Sequence, residues 1–507
     1  MKIRPALLGV AVLLASSAVS QAHVHCADVF TDHMVIQRDA AAPVWGTADP
    51  NEKVTVTFNG QTKTAQADAS GKWMIKLDPT PAGGPFTLEA KGSDSQSLQD
   101  VLAGDVWICS GQSNMGFTVA RAENAAEEIK AANYPKIRFY AVAHVTSQKP
   151  LAEAGGTWQA CTPQTAPTFT AVGYFFGRDL HKDLDVPIGL INSSWGGTHA
   201  EAWTAPKALN ANPDFSAILD RGREYPSEYP KLLTQYEKQS EALKARGDTG
   251  RLKKLRKPAP PDRNPNLPSV LYNAMIAPLQ PMAIKGAIWY QGEANGSKGY
   301  QYRQLLPALI TSWRHGFGEG DFPFLIVQLP EFGKNSADGQ SGWAELREAQ
   351  WLTARNVPNT GIAVAMGLGD PGNVHPIKKQ EVGRRLALVA EKQVYGKDVV
   401  ASGPVYKSMK VDGDKVELTF DSVAGGLEAQ GGKVEGFTIA GDDKKFVPAD
   451  AKIEGDHVVV SAAGVSHPVA VRYGWANSPT CTLYNKAGLP TAPFRTDDWP
   501  VSSVNAK

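Results

Sequence analysis

Short alternating runs open and close the chain, and wholly apolar runs fill its middle. Lys53-Val54-Thr55-Val56-Thr57-Phe58 alternates polar and apolar side chains, the period of a strand with one buried face, and Asn59-Gly60 marks a hairpin turn after it. Lys72 to Leu77 and Phe86 to Ala90 are further short runs, set apart by Ser70-Gly71 and Gly83-Gly84-Pro85. These predict a small β-sandwich. Beyond residue 100 the runs become continuous: Val106-Trp107-Ile108-Cys109, Ile188-Gly189-Leu190-Ile191, Ala287 to Tyr290, Phe324 to Gln328 and Ile362 to Met366. Between them lie helical stretches near 116–132, 171–184, 299–314, 343–355 and 377–393, the second with a stripe at Val172, Phe176, Leu180 and Leu184. Repeated strand–helix units predict a parallel sheet covered on both faces, with its site at the carboxyl ends of the strands.

The rhythm breaks between about 205 and 268. Residues 230 to 257 are charged and helical, and Pro258, Pro260, Pro261, Pro265 and Pro268 stop them, so this segment reads as an insertion. Its basic run, Arg251 to Lys257, is read as a solvated helix face. From about 398 alternating runs return, at Lys415 to Phe420 and His457 to Val460. The predicted organisation is an export signal at 1–22, an N-terminal β-sandwich at 23–100, an α/β domain at 101–397 with its insertion, and a β-rich domain at 398–507.

Composition narrows the class. The chain has 507 residues, 42% hydrophobic and 20% charged, with net charge +1. That is enough for several ordinary cores, and it points to neither nucleic acid nor an anionic membrane as partner. Lys2 and Arg4, the apolar run Ala6 to Ala15 and the small residues of Ser20-Gln21-Ala22 form a secretory signal pattern. An uncleaved anchor is the alternative. The mature protein is expected outside the cytoplasm, periplasmic or secreted, without a membrane span. Export permits disulfides, and Cys26, Cys109, Cys161 and Cys481 allow three full pairings among which the sequence does not choose. Their spacing matches no zinc site.

Four motifs follow apolar strands. In Ser110-Gly111-Gln112-Ser113-Asn114-Met115, a serine between strand and helix sits where backbone N–H groups stabilise an oxyanion, although Met115 departs from the second glycine of a G-x-S-x-G elbow. Trp195-Gly196-Gly197-Thr198 frees backbone N–H groups, with Gly197 the first choice of donor and Gly196 the second. In Trp289-Tyr290-Gln291-Gly292-Glu293-Ala294-Asn295, Asn295 either donates its amide to an oxyanion or, with Glu293, caps the next helix. Gly369-Asp370-Pro371-Gly372-Asn373-Val374-His375-Pro376 offers a base, with His199 its main rival. Together they supply a nucleophile, N–H donors and a histidine, a set sufficient for acyl transfer without a cofactor or metal. Trp195, Gln291, Glu293 and Trp475 are candidate sugar contacts; for the tryptophans, and for Trp203 and Trp289, core packing is the plainer alternative.

These four segments resemble the conserved blocks of SGNH hydrolases, and most closely the sialate O-acetylesterase-like carbohydrate esterases. The segments Tyr473 to Asn477, Leu483-Tyr484-Asn485 and Pro493 to Thr496 extend the likeness toward the C-terminus. The resemblance implies a flavodoxin-like domain between β-sandwich modules. It also implies a serine esterase that removes acetyl groups from an O-acetylated oligosaccharide or polysaccharide. Ser113 would be the nucleophile, His375 the base, and Ser113, Gly197 and Asn295 the oxyanion donors. Many relatives place an aspartate two residues before the histidine, where this chain has Asn373. Asp370, Asn373 or a backbone carbonyl is then left to orient the ring, with Asp370 preferred. A non-catalytic carbohydrate-binding protein and a metal-dependent hydrolase are the rival readings.

Overall fold

The computed structural model describes residues 23–337 and 339–506. The expected export signal lies outside them. The strand predicted at Val106–Cys109 is the middle of a much longer one: β1 runs Ser95–Gly111. Its first half pairs antiparallel with Gly83–Lys91, and its Leu102–Gly104 segment lies parallel to Val35–Gln37. Its second half enters the central sheet. The remaining strands there are β2 (Tyr134–Ala141), β3 (Trp158–Cys161), β4 (Ile188–Ser194), β5 (Gly286–Tyr290), β6 (Phe324–Gln328) and β7 (Thr360–Val364). The expected domain boundary at 100/101 therefore falls inside one strand, and the N-terminal strands share a single apolar core with the α/β region.

Across the sheet the order is β3-β2-β4-β1-β5-β6-β7, parallel throughout except for the edge strand β3. Counted over its parallel strands in chain order, this is 2-3-1-4-5-6. It differs from the flavodoxin-like order of about 2-1-3-4-5 because β4 inserts between the first two strands. The winding still reverses at β1, with β2 and β4 on one side and β5 on the other. The carboxyl ends of β4, β1 and β5 thus border a switch-point crevice, where ligands bind in such sheets. β5 and β6 are buried at every position, which is why they read as unbroken apolar runs.

The longer helices are α1 (Ala171–Leu184), α2 (Ser216–Ala245), α3 (Gly299–Phe317), α4 (Gly342–Asn356) and α5 (Lys379–Gln393). Thr170 Oγ1 caps α1 by accepting the Gly173 N–H at 3.2 Å, and Ser341 Oγ caps α4 by accepting Ala344 N–H at 3.0 Å. α1 packs on α5, and α3 on α4. The inserted helix begins at Ser216, earlier than expected, and Pro226 and Pro230 lie within it. The stretch expected as one helix at 116–132 is a 3-10 turn, Val119–Arg121, and a short helix, Ala125–Ala131. No helix therefore starts directly after Ser113.

The C-terminal strands form small antiparallel sheets around a second core. Arg347 of α4 joins that module to the sheet: fully buried, it donates to the carbonyls of Leu329, Pro330, Ala476 and Asn477 at 2.7–2.9 Å. Burial pushes its guanidinium down to about 10. Arg347→Ala strips four carbonyls of their donor and should lower the unfolding free energy in urea by about 3–5 kcal/mol. A loss below about 1 kcal/mol would mean that other donors replace it.

Cys26, Cys109, Cys161 and Cys481 are all free and buried, so none of the three pairings open to the sequence is made. Among the described residues no helix is long and apolar enough to cross a membrane.

Candidate active site

The crevice is built by strand register. Gly111 at the end of β1 lies opposite Ser194 of β4 and Tyr290 of β5. The Gln112 N–H donates to the Tyr290 carbonyl at 3.0 Å, and the Trp195 N–H to the Gly111 carbonyl at 3.1 Å. Three loops thereby leave the sheet side by side. Gly111 has φ +134°, and a Cβ there would meet the Tyr290 oxygen at 2.1 Å, so only glycine fits. The strain of the turn sits on Gly111; Ser113 itself has an ordinary φ, unlike the serine of a nucleophile elbow.

Ser113 Oγ lies 2.8 Å from His375 Nε2, across 262 residues of chain. Gly196 rests against the serine: a Cβ on it would come within 3.2 Å of the Ser113 Cβ. Among the described residues, the N–H groups of Ser113, Gly196 and Gly197 donate to no protein acceptor. Unpaired N–H groups gathered beside a hydroxyl form a ready site for a developing oxyanion. They belong to turns, not to the first turn of a helix.

Asn295 is buried against the turn that follows Gly197. Its Oδ1 accepts the Ala200 N–H at 3.0 Å and Gln291 Nε2–H at 2.7 Å, which fixes the amide's orientation. One Nδ2 hydrogen goes to Glu201 Oε2 at 2.9 Å, leaving the other unassigned. Gln291, expected as a sugar contact, is instead turned inward. It follows a fully buried strand, is itself buried, and spends its amide on Thr198 O, Asn295 Oδ1 and the Tyr302 hydroxyl. Glu293 turns inward to the Asn114 amide. Trp475 packs between Arg472 and Arg495, whose guanidinium carbons lie 4.9 and 5.3 Å from its ring. Trp195 remains half-exposed, its ring stacked 4.6 Å from that of His144. His199 is held by Asn266 Oδ1 at 2.9 Å and makes no bond to Ser113.

The chain matches the family described as "Carbohydrate esterase, sialic acid-specific acetylesterase" over residues 103–241 and 260–391. The sialate O-acetylesterase of Rattus norvegicus is 32% identical over 97% of this chain and 98% of its own. The human sialate O-acetylesterase is 32% identical over 92% of this chain and 91% of its own. The chain belongs to this family of carbohydrate esterases. A solved carbohydrate acetylesterase from Xanthomonas citri aligns with TM-score 0.81 and 39% identity, covering 94% of this chain and all of that one. The protein is accordingly an acetylesterase, a hydrolase of carboxylic esters, and the non-catalytic reading gains nothing from these comparisons.

What holds the esterase's histidine differs from expectation. Asp370 does not reach the ring: its Oδ1 accepts the Gly372 N–H at 2.8 Å within its own turn. Asn373 Oδ1 accepts the backbone N–H of His375 at 3.0 Å, not a ring nitrogen. Among the described residues, Nδ1 has no hydrogen-bond partner. The loop is instead tied from across the crevice, where Asn114 Nδ2 donates to the Val374 carbonyl at 2.9 Å. Lys379 Nζ donates to Asn114 Oδ1, and the same amide reaches Glu293. Lys379 is completely buried in the first turn of α5, over the rings of Phe117 and Tyr290 at 5.0 and 5.2 Å. Burial pushes its ammonium down to about 7 and pushes the Glu293 carboxyl up. Burial first, then Lys379 and Arg121, also hold His375 below the ordinary 6.5.

The sequence reading missed Asn114, Lys379 and Glu201 as parts of this site. One signal was present: two lysines open α5, at the helix end where the macrodipole disfavours a cation.

Proposed function

We propose that the esterase is an exported serine O-acetylesterase of the SGNH type that releases acetate from an O-acetylated sugar, either a sialic acid or a plant cell-wall polysaccharide such as xyloglucan or xylan. The observation that carries the reading is the 2.8 Å contact between Ser113 Oγ and His375 Nε2 beside unpaired turn N–H groups. Ser113 Oγ attacks the acetyl carbonyl carbon while His375 Nε2 takes its proton. The oxyanion is met by the N–H groups of Ser113 and Gly197, with Gly196 second to Gly197, and by the free Asn295 amide hydrogen. The intermediate collapses, and His375 gives its proton to the departing sugar oxygen. Water then attacks the acetyl-serine, passing a proton to His375, and acetate leaves as Ser113 recovers its hydrogen. Trp195 offers the apolar wall for the sugar. Periplasmic or secreted location is inferred from the signal pattern at 1–22.

Acetate measured after incubation with O-acetylated sialic acids, acetylated xylan and acetylated xyloglucan tests the substrate class. Release from at least one is expected; release from aryl acetates alone would contradict a sugar substrate.

Two predictions follow from how the histidine is held. Asp370→Asn should leave acetate release within about threefold of wild type, whereas a triad aspartate is worth about 10⁴. A loss beyond a hundredfold, on the same scale, would restore Asp370 to the ring. The second concerns pH. The neutral imidazole is the base, so its activity is complete above the His375 pKa and is lost as pH falls through it. Because that pKa is depressed, the midpoint of the acid limb of kcat/KM should lie below pH 6.5. Lys379→Met removes one of the two cations and should move this acid limb to higher pH. A wild-type limb above 6.5 would contradict the account.

A further inference from the structure

Asn114, the residue after the nucleophile, joins the serine loop to the histidine loop. It is buried at 1% exposure, and its amide makes three hydrogen bonds. Oδ1 accepts from the Lys379 ammonium, while Nδ2 donates to the Glu293 carboxylate and, at 2.9 Å, to the Val374 carbonyl. An ammonium only donates and a carbonyl oxygen only accepts, so the amide has one satisfied orientation. The bond to Val374 falls on the peptide that leads into His375. The other end of that peptide, the His375 N–H, is taken by Asn373 Oδ1 at 3.0 Å. Pro376 follows and keeps His375 out of helical backbone. The backbone that carries the imidazole is thus tied on both sides, while Nδ1 has no partner among the described residues. Apart from Ser113, Asn114 is the one residue outside this loop that hydrogen-bonds to residues 373–376 among the described residues.

We propose that Asn114, locked by Lys379, is the positioning residue for His375 and takes the place of a triad carboxylate, which neither Asp370 nor Asn373 supplies to the ring. The inference rests on the serine esterase reading and concerns how its base is held. Asn114 acts through the Val374–His375 peptide. Because it also adjoins Ser113 in the chain, one side chain sets both partners of the 2.8 Å contact in a common frame. The buried Lys379 thereby acquires a role. Burying a cation costs free energy that its contacts have to offset. The ammonium's one hydrogen bond among the described residues goes to the Asn114 oxygen, and the rings of Phe117 and Tyr290 lie against it. A hydrocarbon side chain there would fill the space and leave the amide free to turn.

The deciding variant is Asn114→Asp, which keeps the volume and the Lys379 contact but has no hydrogen for Val374. Above the acid limb it should lower kcat for an aryl acetate by about 10²-fold, the cost of a base displaced by about 1 Å, with KM within about threefold of wild type. Asn114→Ala should lose about as much. Lys379→Met should lose less, and adding it to Asn114→Ala should cost nothing further, because the lysine acts through the amide. If Asn114 served packing alone, Asn114→Asp would keep its kcat per folded molecule, with folding followed by thermal melting. That result would overturn the proposal, and so would a loss confined to KM. Additive losses from Asn114→Ala and Lys379→Met would overturn the part given to Lys379. Wild type supplies a further check by proton NMR. The strongly deshielded proton of an imidazole Nδ1–H bonded to a carboxylate, present in wild type and lost in Asp370→Asn, would overturn the proposal even if no Asn114 variant folded. The parent reading fails separately: it falls if Ser113→Ala still releases acetate, whatever Asn114 does.

Discussion

Ser113→Ala should lose acetate release by about 10⁴-fold or more, and His375→Ala should lose about as much, because nucleophile and base act as one unit. The double variant should be no worse than either single one. The serine oxygen and the imidazole nitrogen touch at 2.8 Å, so removing either ends the same proton transfer. What remains should be the slower hydrolysis supported by the oxyanion donors and sugar binding. The assay is acetate release from an aryl acetate and from an acetylated sugar, with folding checked by circular dichroism. Additive losses in the double variant would mean that the two residues serve different steps.

Asn295→Ala should lower kcat by about 10²–10³-fold, the scale on which a single oxyanion donor contributes. KM should move far less, because the donor meets charge that appears only in the transition state. Asn295→Asp is the sharper comparison. It keeps the volume but replaces the donor with a carboxylate facing the Glu201 carboxylate, now 2.9 Å from the amide nitrogen. It should be at least as damaging as alanine. If Asn295→Ala instead raised KM with kcat intact, Asn295 would be a ground-state sugar contact and the backbone N–H groups would carry the oxyanion alone.

The candidate residues were legible because each lies at the end of an apolar strand, and strand ends are local features of sequence. That the four ends meet depends on the sheet, and the sheet's order was not legible. The stretches of β1, β4, β5 and β6 that meet at the centre of the sheet are mostly apolar, so little in their side chains tells which neighbour each will take. The insertion of β4 between β2 and β1 is settled by tertiary packing. The Asp370 expectation failed for a reason that was in the sequence. Asp370-Pro371-Gly372 is a turn signature in which the aspartate bonds the N–H two residues on, and it does. Gln291 was misread because the run of burial continues past Tyr290. The hold on His375 was invisible, since Asn114 and Val374 are 260 residues apart.

The extra length of β1 was hidden for a related reason. Residues 95–100 are polar and partly exposed apart from the buried Leu98, as suits a strand at the rim of the N-terminal sheet, and they carry no apolar run to mark a strand. The buried half starts at Val101 and carries the chain without interruption into the centre of the molecule. The serine loop is therefore anchored by one strand that crosses both sheets.

The acyl-enzyme is the species on which the mechanism stands or falls. Rapid acid quench during turnover of an acetylated substrate, followed by digestion and mass spectrometry, should find an acetyl group on the peptide bearing Ser113, and none on that peptide from Ser113→Ala. Steady turnover with the Ser113 hydroxyl never acetylated, or an acetyl group carried on another side chain, would contradict the account.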